Sequence, residues 1–335
     1  MRRANCSWCG KVKVEKVPRA LGKRPVTKAF AWMLAGWAKR LSWKETATAF
    51  GASWHCVHRS VAMAVARGRE HIRLDGISTI GVDEIAWHEH LTLACQPDKG
   101  CRRLLRVGEH RKITTPQSVF DWFGKQRSEK LQIVCSDMWQ ACLKVVGERA
   151  ANAARVLDRF HIMKKLSEAI GEVCRTDARR LKAEGKQPVL EKSRWLLKWR
   201  DSLSEKQIPR LEEILKLNLS TVRACLLRED FRQFFDCNSS TRAKLFLKRW
   251  RHRAIRSGIG PLVKFAATLQ NHRPLVINWF RTGRCHSSGA VGGMNLKARF
   301  ALMKAFGFRS YAAHELAPYR TLGNLPQPGI AHRFC

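Results

Sequence analysis

The chain is poor in acids. Only 27 Asp and Glu stand against 63 Lys and Arg among its 335 residues, a formal charge of +36. Such a field opposes the compact state by self-repulsion, so a polyanionic partner is the economical explanation. The basic residues run the whole length instead of filling one tail, which favours nucleic acid over a membrane surface. Long apolar runs are also lacking: the stretch Ala29 to Ala38 falls far short of the about 20 residues that span a bilayer. The start, Met1-Arg2-Arg3-Ala4-Asn5-Cys6, has no apolar stretch of a secretory signal. Repeats and low-complexity tracts are missing too. The 12 cysteines form no small-domain framework, and reduced thiols in a cytoplasm are expected. What is present is 45% hydrophobic residues, enough for a packed core.

Three zones separate by pattern. Met1 to Asp75 is basic and helical, Gly76 to Phe160 reads as strands with short helices, and His161 to Arg320 is almost all helix. Gly51, Gly76 and the turn from Asn271 to Pro274 are the clearest punctuation.

In the first zone Ser42 can cap a helix, with Glu45 placed to complete a capping box. Ala47, Gly51 and Val57 then supply a small residue at a helix contact, a left-handed turn and an apolar anchor. A helix-turn-helix needs that pattern, and an ordinary helical hairpin uses the same positions. In the DNA-binding reading Ser53 caps the recognition helix and leaves His55, His58 and Arg59 at a groove.

Cys6-Ser7-Trp8-Cys9-Gly10 is a Cys-x-x-Cys knuckle, half of a zinc ribbon. Cys6 and Cys9 are candidate zinc ligands, yet zinc takes four, and no second close pair follows with ribbon spacing. Cys95 and Cys101 read as core thiols.

In the second zone Ile77 to Ala86 is β-rich and carries Asp83 and Glu84. Adjacent strand residues point to opposite faces, so the two cannot share one site. Leu91 to Cys95 and Arg103 to Val107 follow as antiparallel partners, and Thr114 to Phe123 is a helix with Pro116 in its first turn. Leu131 to Ser136 is a short buried strand ending at Asp137, and Arg155 to Leu157 repeats the form before Asp158 and His161. Three strands ending in acids gather carboxylates at one sheet edge, as nucleases and polynucleotidyl transferases do to hold two Mg²⁺ ions. Any one of these aspartates also suits a helix cap.

In the third zone Thr241 to Arg253 is a strongly basic helix. Leu247, Trp250 and Ala254 give it a core-facing stripe. Lys248, Arg249 and Arg251 are candidates for phosphate contact on its other face. His161 and Lys164 face together one turn apart, where structural support of the core is the favoured role for Asp158 and His161.

Taken in order, these motifs resemble the ISL-three family of bacterial insertion-sequence transposases. The matching stretches add Thr27 to Phe30, Pro261 to Ala266, Gly289 to Asn295 and Lys304 to Ser310, covering Cys6 to Leu316. The resemblance implies a DDE transposase: an α/β, RNase H-like mixed-sheet catalytic core with a large helical insertion, preceded by a helix-turn-helix region. It divides the chain into residues 1–25, a partial zinc ribbon and basic arm; 26–75, the helix-turn-helix; 76–160, the first part of the core; 161–285, the insertion; and 286–320, the final core helix and C-terminal segment. Asp83 and Asp137 would be the catalytic, Mg²⁺-binding aspartates. The third acid is expected in a helix reading Asn-Gly-x-x-Glu-Gly-x-Asn. Here that stretch is Ser288 to Asn295, with Gly292 at the glutamate position. Met303-Lys304 replaces a pair of arginines, Phe306 a tyrosine, and the first half of the ribbon is missing before Cys6. Glu315 lies too far along to substitute.

The implied function is binding of terminal inverted repeats and Mg²⁺-dependent strand cleavage and transfer into target DNA, weakened by Gly292. A homodimer assembles on the DNA ends, in the cytoplasm and on the nucleoid. The competing readings are a transposase remnant that only binds DNA and an unspecific basic protein on RNA or nucleoid DNA.

Overall fold

The computed structural model describes residues 3–14, 26–87, 89–98, 100–185, 204–216, 219–283, 288–304 and 311–328. The chain forms two compact units. One comprises Met1–Ile77, Asp83–Arg127 and Gly293–Cys335, the other Ser78–Val82 and Ser128–Gly292.

The first unit begins with a hairpin of β1 (Arg3–Asn5) and β2 (Val12–Val14), paired antiparallel. The helical pattern of the first zone does not announce it. Its turn holds Gly10 at φ 63°, a left-handed conformation that glycine adopts without steric cost. Three helices follow: α1 (Lys28–Trp37), α2 (Trp43–Ala49) and α3 (Trp54–Glu70). The capping box forms as expected. Ser42 Oγ accepts the Glu45 N–H at 3.1 Å, and the Glu45 carboxylate accepts the Ser42 N–H at 2.7 Å. The Ser42 N–H first, and the Ser42 hydroxyl after it, hold the Glu45 carboxyl below its ordinary range. Gly51 sits at φ 58° between α2 and α3, and Ser53 caps α3 through the Cys56 N–H at 3.2 Å. Ala47, Val57 and Val61 are buried.

Next come β3 (Thr79–Trp87), β4 (Glu89–Gln96) and β5 (Arg103–Glu109). The β4 and β5 strands pair antiparallel, from Leu91↔Glu109 to Gln96↔Arg103, with an irregularity between Ala94 and Cys95. Helix α4 spans Thr114–Phe123, with Pro116 in its first turn where a missing N–H costs nothing, and α5 spans Lys125–Glu129. The last helices are α13 (Ser288–Met303) and α14 (Tyr311–Leu322). Side chains of α14 fix it in the first unit. The Tyr319 hydroxyl accepts the Val107 N–H at 3.2 Å and donates to Leu105 O at 3.3 Å. Arg320 Nε donates to Ala35 O at 2.6 Å, and Glu315 pairs with Arg69 at 2.9 Å.

In the second unit Thr79–Val82 of β3 pair parallel with β6 (Ile133–Ser136), which pairs parallel with β7 (Ala154–Leu157). Every residue of β6 is buried, the continuous apolar run that a strand covered on both faces requires. The helices are α6 (Gln140–Arg149), α7 (Arg159–Ala183), α8 (Gln207–Lys216), α9 (Ser220–Arg232), α10 (Ser240–Arg256), α11 (Gly260–Asn271) and α12 (Arg273–Arg281). Their core is aromatic: Phe231 lies 4.7 Å from Trp250 and 5.4 Å from Phe234 between ring centroids. Leu247, Trp250 and Ala254 are buried, as the period of α10 requires. Helix α9 has no cap of its own. The buried Asp177 of α7 supplies one from a distance, accepting the Thr221 N–H at 2.7 Å and hydroxyl at 2.8 Å.

In strand order the mixed sheet reads β5-β4-β3-β6-β7. Among the described residues no helix is long and apolar enough to cross a membrane.

Candidate functional site

The site rests on strand register. Val82 of β3 pairs with Ser136 of β6, and Ser136 pairs with Leu157 of β7. Each of these aligned residues is followed in the chain by an aspartate: Asp83, Asp137 and Asp158.

Asp83 is 6% exposed. Its Oδ1 accepts the Glu84 N–H at 2.7 Å, and its Oδ2 accepts the side-chain amide of Asn295 on α13. The amide nitrogen must face Asp83, since an ionised carboxylate only accepts. That orientation leaves Asn295 Oδ1 buried without a hydrogen-bond donor. Glu84, the strand neighbour, binds Arg111 at 2.8 Å instead.

Asp137 is half-buried and accepts the Trp139 N–H at 2.9 Å. This turn leads into α6, whose flanking residue is Trp139 itself. Asp158 is buried and caps α7, its Oδ1 accepting the Phe160 N–H at 2.6 Å. A ring nitrogen of His161 lies within 4.8 Å of an Asp158 carboxylate oxygen. Burial and then the Asp158 charge push the Cys135 thiol up to about 12. It stays protonated at neutral pH and behaves as a core thiol.

Gly292 lies on α13, half-buried, and a Cβ built there would meet no atom within 4 Å. It stands three residues before Asn295, and residues three apart share a helix face. Asn295, the partner of Asp83, stands at the closing Asn of the motif that aligns with Ser288 to Asn295.

The candidate DNA-binding residues fall on two helices. On α3, Trp54, His55 and Arg59 are exposed and His58 is half-buried. The Trp54 and His58 rings stack at 5.4 Å, and Trp43 meets His58 edge-on at 5.5 Å. Burial holds the His58 imidazole below its ordinary value, helped by the charges of His55 and Arg59. On α10, Lys248 and Arg249 are exposed, while Arg251 Nε donates to Ala266 O at 3.1 Å and anchors α10 to α11. Cys6 and Cys9 are exposed in the β1–β2 turn. Hydrogen bonds from the Cys9 and Trp8 backbones lower the Cys6 thiol, which favours the thiolate a metal would need. Among the described residues, no group of three or more metal-capable side chains includes either cysteine.

A family model described as Transposase, of the DDE ISL3 type, matches residues 80–317. The chain belongs to the ISL3 transposase family. It is similar to the transposase for insertion sequence element IS1001 of Bordetella parapertussis, 25% identical over 318 residues that cover 92% of this chain and 76% of that one. It is also similar to the transposase for insertion sequence element IS1557 of Mycobacterium tuberculosis, 29% identical over 335 residues, covering 92% of this chain and 74% of that one.

Proposed function

We propose that this ISL3-family chain binds the terminal inverted repeats of its insertion sequence and cuts and joins their strands at a divalent-cation site. Asp83, Asp137, Asp158 and His161 are the residues that would hold the cation, on an RNase H-like core. The carrying observation is the aligned row Val82, Ser136 and Leu157, each followed by an aspartate. The donor set suits Mg²⁺ or Mn²⁺. Carboxylate oxygens dominate, and the buried Asn295 Oδ1 beside Asp83 offers a further hard oxygen that lacks a donor. A bound cation would stabilise the charge that builds on the phosphate oxygens during in-line displacement. Asn295 orients Asp83, and its place as the cap of α7 orients Asp158.

Gly292 supplies no carboxylate, so cleavage is weak relative to a site that also has a glutamate on α13. The exposed face of α3 with His55, His58 and Arg59 grips duplex DNA in a helix-turn-helix, and Lys248 and Arg249 of α10 hold phosphates. The chain acts as a homodimer on paired ends, since two ends must be cut and joined together. Zinc at Cys6 and Cys9 requires two further ligands.

The test is Mg²⁺-dependent nicking of a duplex carrying the repeats that flank the reading frame. Native protein should nick it, and Asp83→Ala and Asp158→Ala should each abolish the reaction while retaining DNA binding. Nicking that survives both replacements overturns the assignment.

A further inference from the structure

Phe160 is 60% exposed, in the first turn of α7 between the site residues Asp158 and His161. Packing does not account for it. Ile162, Leu166 and Ile170 form the buried stripe of α7, and Phe160 lies off that stripe. Its neighbour Arg159 is committed elsewhere, with the guanidinium 4.7 Å from the centre of the Phe235 ring. The rings of Phe160 and His161 lie at right angles, with centroids 5.6 Å apart and planes at 86°, and Phe160 stays largely exposed beside that contact. One turn further, Lys164 is exposed on the same side of the helix. A flat apolar face with an ammonium one turn away matches a nucleotide: the base stacks and its phosphate pairs with the cation. The +36 charge of the chain selects a polyanion as the occupant.

We propose that Phe160 is a stacking platform for an unpaired nucleobase beside the phosphate to be cut, with Lys164 holding a neighbouring phosphate. This rests on the strand-cleavage reading of Asp158 and His161 given above. A base at a duplex end or next to a nick leaves its stack at low cost, and an aromatic face offers it a new one. Stacking tolerates any base, so Phe160 would position the strand without reading sequence.

The experiment uses full-length protein and the same repeat duplex, with Ca²⁺ replacing Mg²⁺. Single 2-aminopurines are placed in turn at the nucleotides flanking the cleavage position. Phe160→Trp should quench one of these probes, because an indole in van der Waals contact quenches 2-aminopurine. Phe160→Leu keeps an apolar side chain without the ring. It should weaken binding to a repeat end with unpaired flanking bases by about tenfold, the scale of one lost base stack. No quenching at any position by Phe160→Trp, together with native affinity in Phe160→Leu, would falsify the proposal. The cleavage reading fails separately, if Asp158→Ala still nicks the duplex in Mg²⁺.

Discussion

The amide of Asn295 donates to Asp83 Oδ2, tying α13 to β3 across 212 residues of chain. Asp83 is buried, and a buried polar group needs hydrogen-bond partners. One comes from its own strand and one from Asn295. The bond thus joins the folding of the last helices to the position of a candidate catalytic carboxylate.

Two replacements at Asn295 separate structure from cation binding. Asn295→Ala removes a hydrogen bond to a charged, buried group and should cost about 1.5–3 kcal/mol, read as a lower urea midpoint. Asn295→Asp sets two carboxylates together, which destabilises the metal-free protein through like-charge repulsion. Millimolar Mg²⁺ or Mn²⁺ should recover that loss in Asn295→Asp and leave Asn295→Ala unchanged. Equal cation response in both variants would remove the case for a cation beside Asp83.

Two histidines set an acid-side limit to stability. Burial lowers the imidazoles of His58 and His272, with His55 and Arg59 adding to the first and Lys165 to the second. Below the ordinary value of 6.5 the unfolded chain takes up protons that these folded sites resist. Their contribution is therefore present above about pH 6.5 and lost as pH falls through the folded values. Urea midpoints at pH 5.5 and 7.5 should differ more in native protein than in a His58→Gln, His272→Gln double variant. An identical pH response in the two proteins contradicts the assignment.

Local signals in the sequence carry much of this fold. The span from Thr114 to Phe123 forms α4 with those bounds. The Ser42 box, the Ser53 cap, the β4–β5 pair and the buried stripe of α10 also form as their patterns dictate. Each rests on residues a few positions apart, where periodicity and capping chemistry act. What stayed hidden was long-range. Nothing near Asn295 points to Asp83, nothing near Glu315 points to Arg69, and the cap that Asp177 gives α9 crosses 44 residues. Phe160 could be seen as apolar within a motif, but its exposure follows only from the three-dimensional path of α7.

Trp250 should be among the most sensitive positions of the helical core. It is fully buried, meets Phe231 and Phe265, and its indole N–H donates to Leu227 O at 2.7 Å. Trp250→Ala should cost about 3–5 kcal/mol through the cavity it leaves. Trp250→Phe keeps most of the volume and removes the indole bond to Leu227 O, a carbonyl that α9 still satisfies, for about 0.5–1.5 kcal/mol. Against the typical 5–15 kcal/mol of a domain, the first change should lower the urea midpoint sharply and the second modestly. Equal, small effects would mean that α10 contributes little to the core of the second unit.

Gly292 offers the sharpest test of catalytic weakness. Its φ is not among the positive ones, and a Cβ there meets nothing within 4 Å. A side chain therefore fits the helix without backbone change. Glycine also weakens a helix interior by about 1 kcal/mol relative to alanine, and Gly293 compounds the effect. Gly292→Glu should raise the stability of α13 slightly and place a carboxylate on the helix face that Asn295 presents to Asp83. A further acid strengthens Mg²⁺ binding, and gaining such an electrostatic group should raise strand cleavage by about two to four orders of magnitude. Native protein, Gly292→Glu and Gly292→Glu with Asp137→Ala are compared for nicking of the repeat duplex at matched Mg²⁺. A gain in the single variant that the second replacement removes supports both Gly292 and Asp137 in the site. If native protein already cleaves as fast as Gly292→Glu, another acid completes the site and Gly292 is not its missing member.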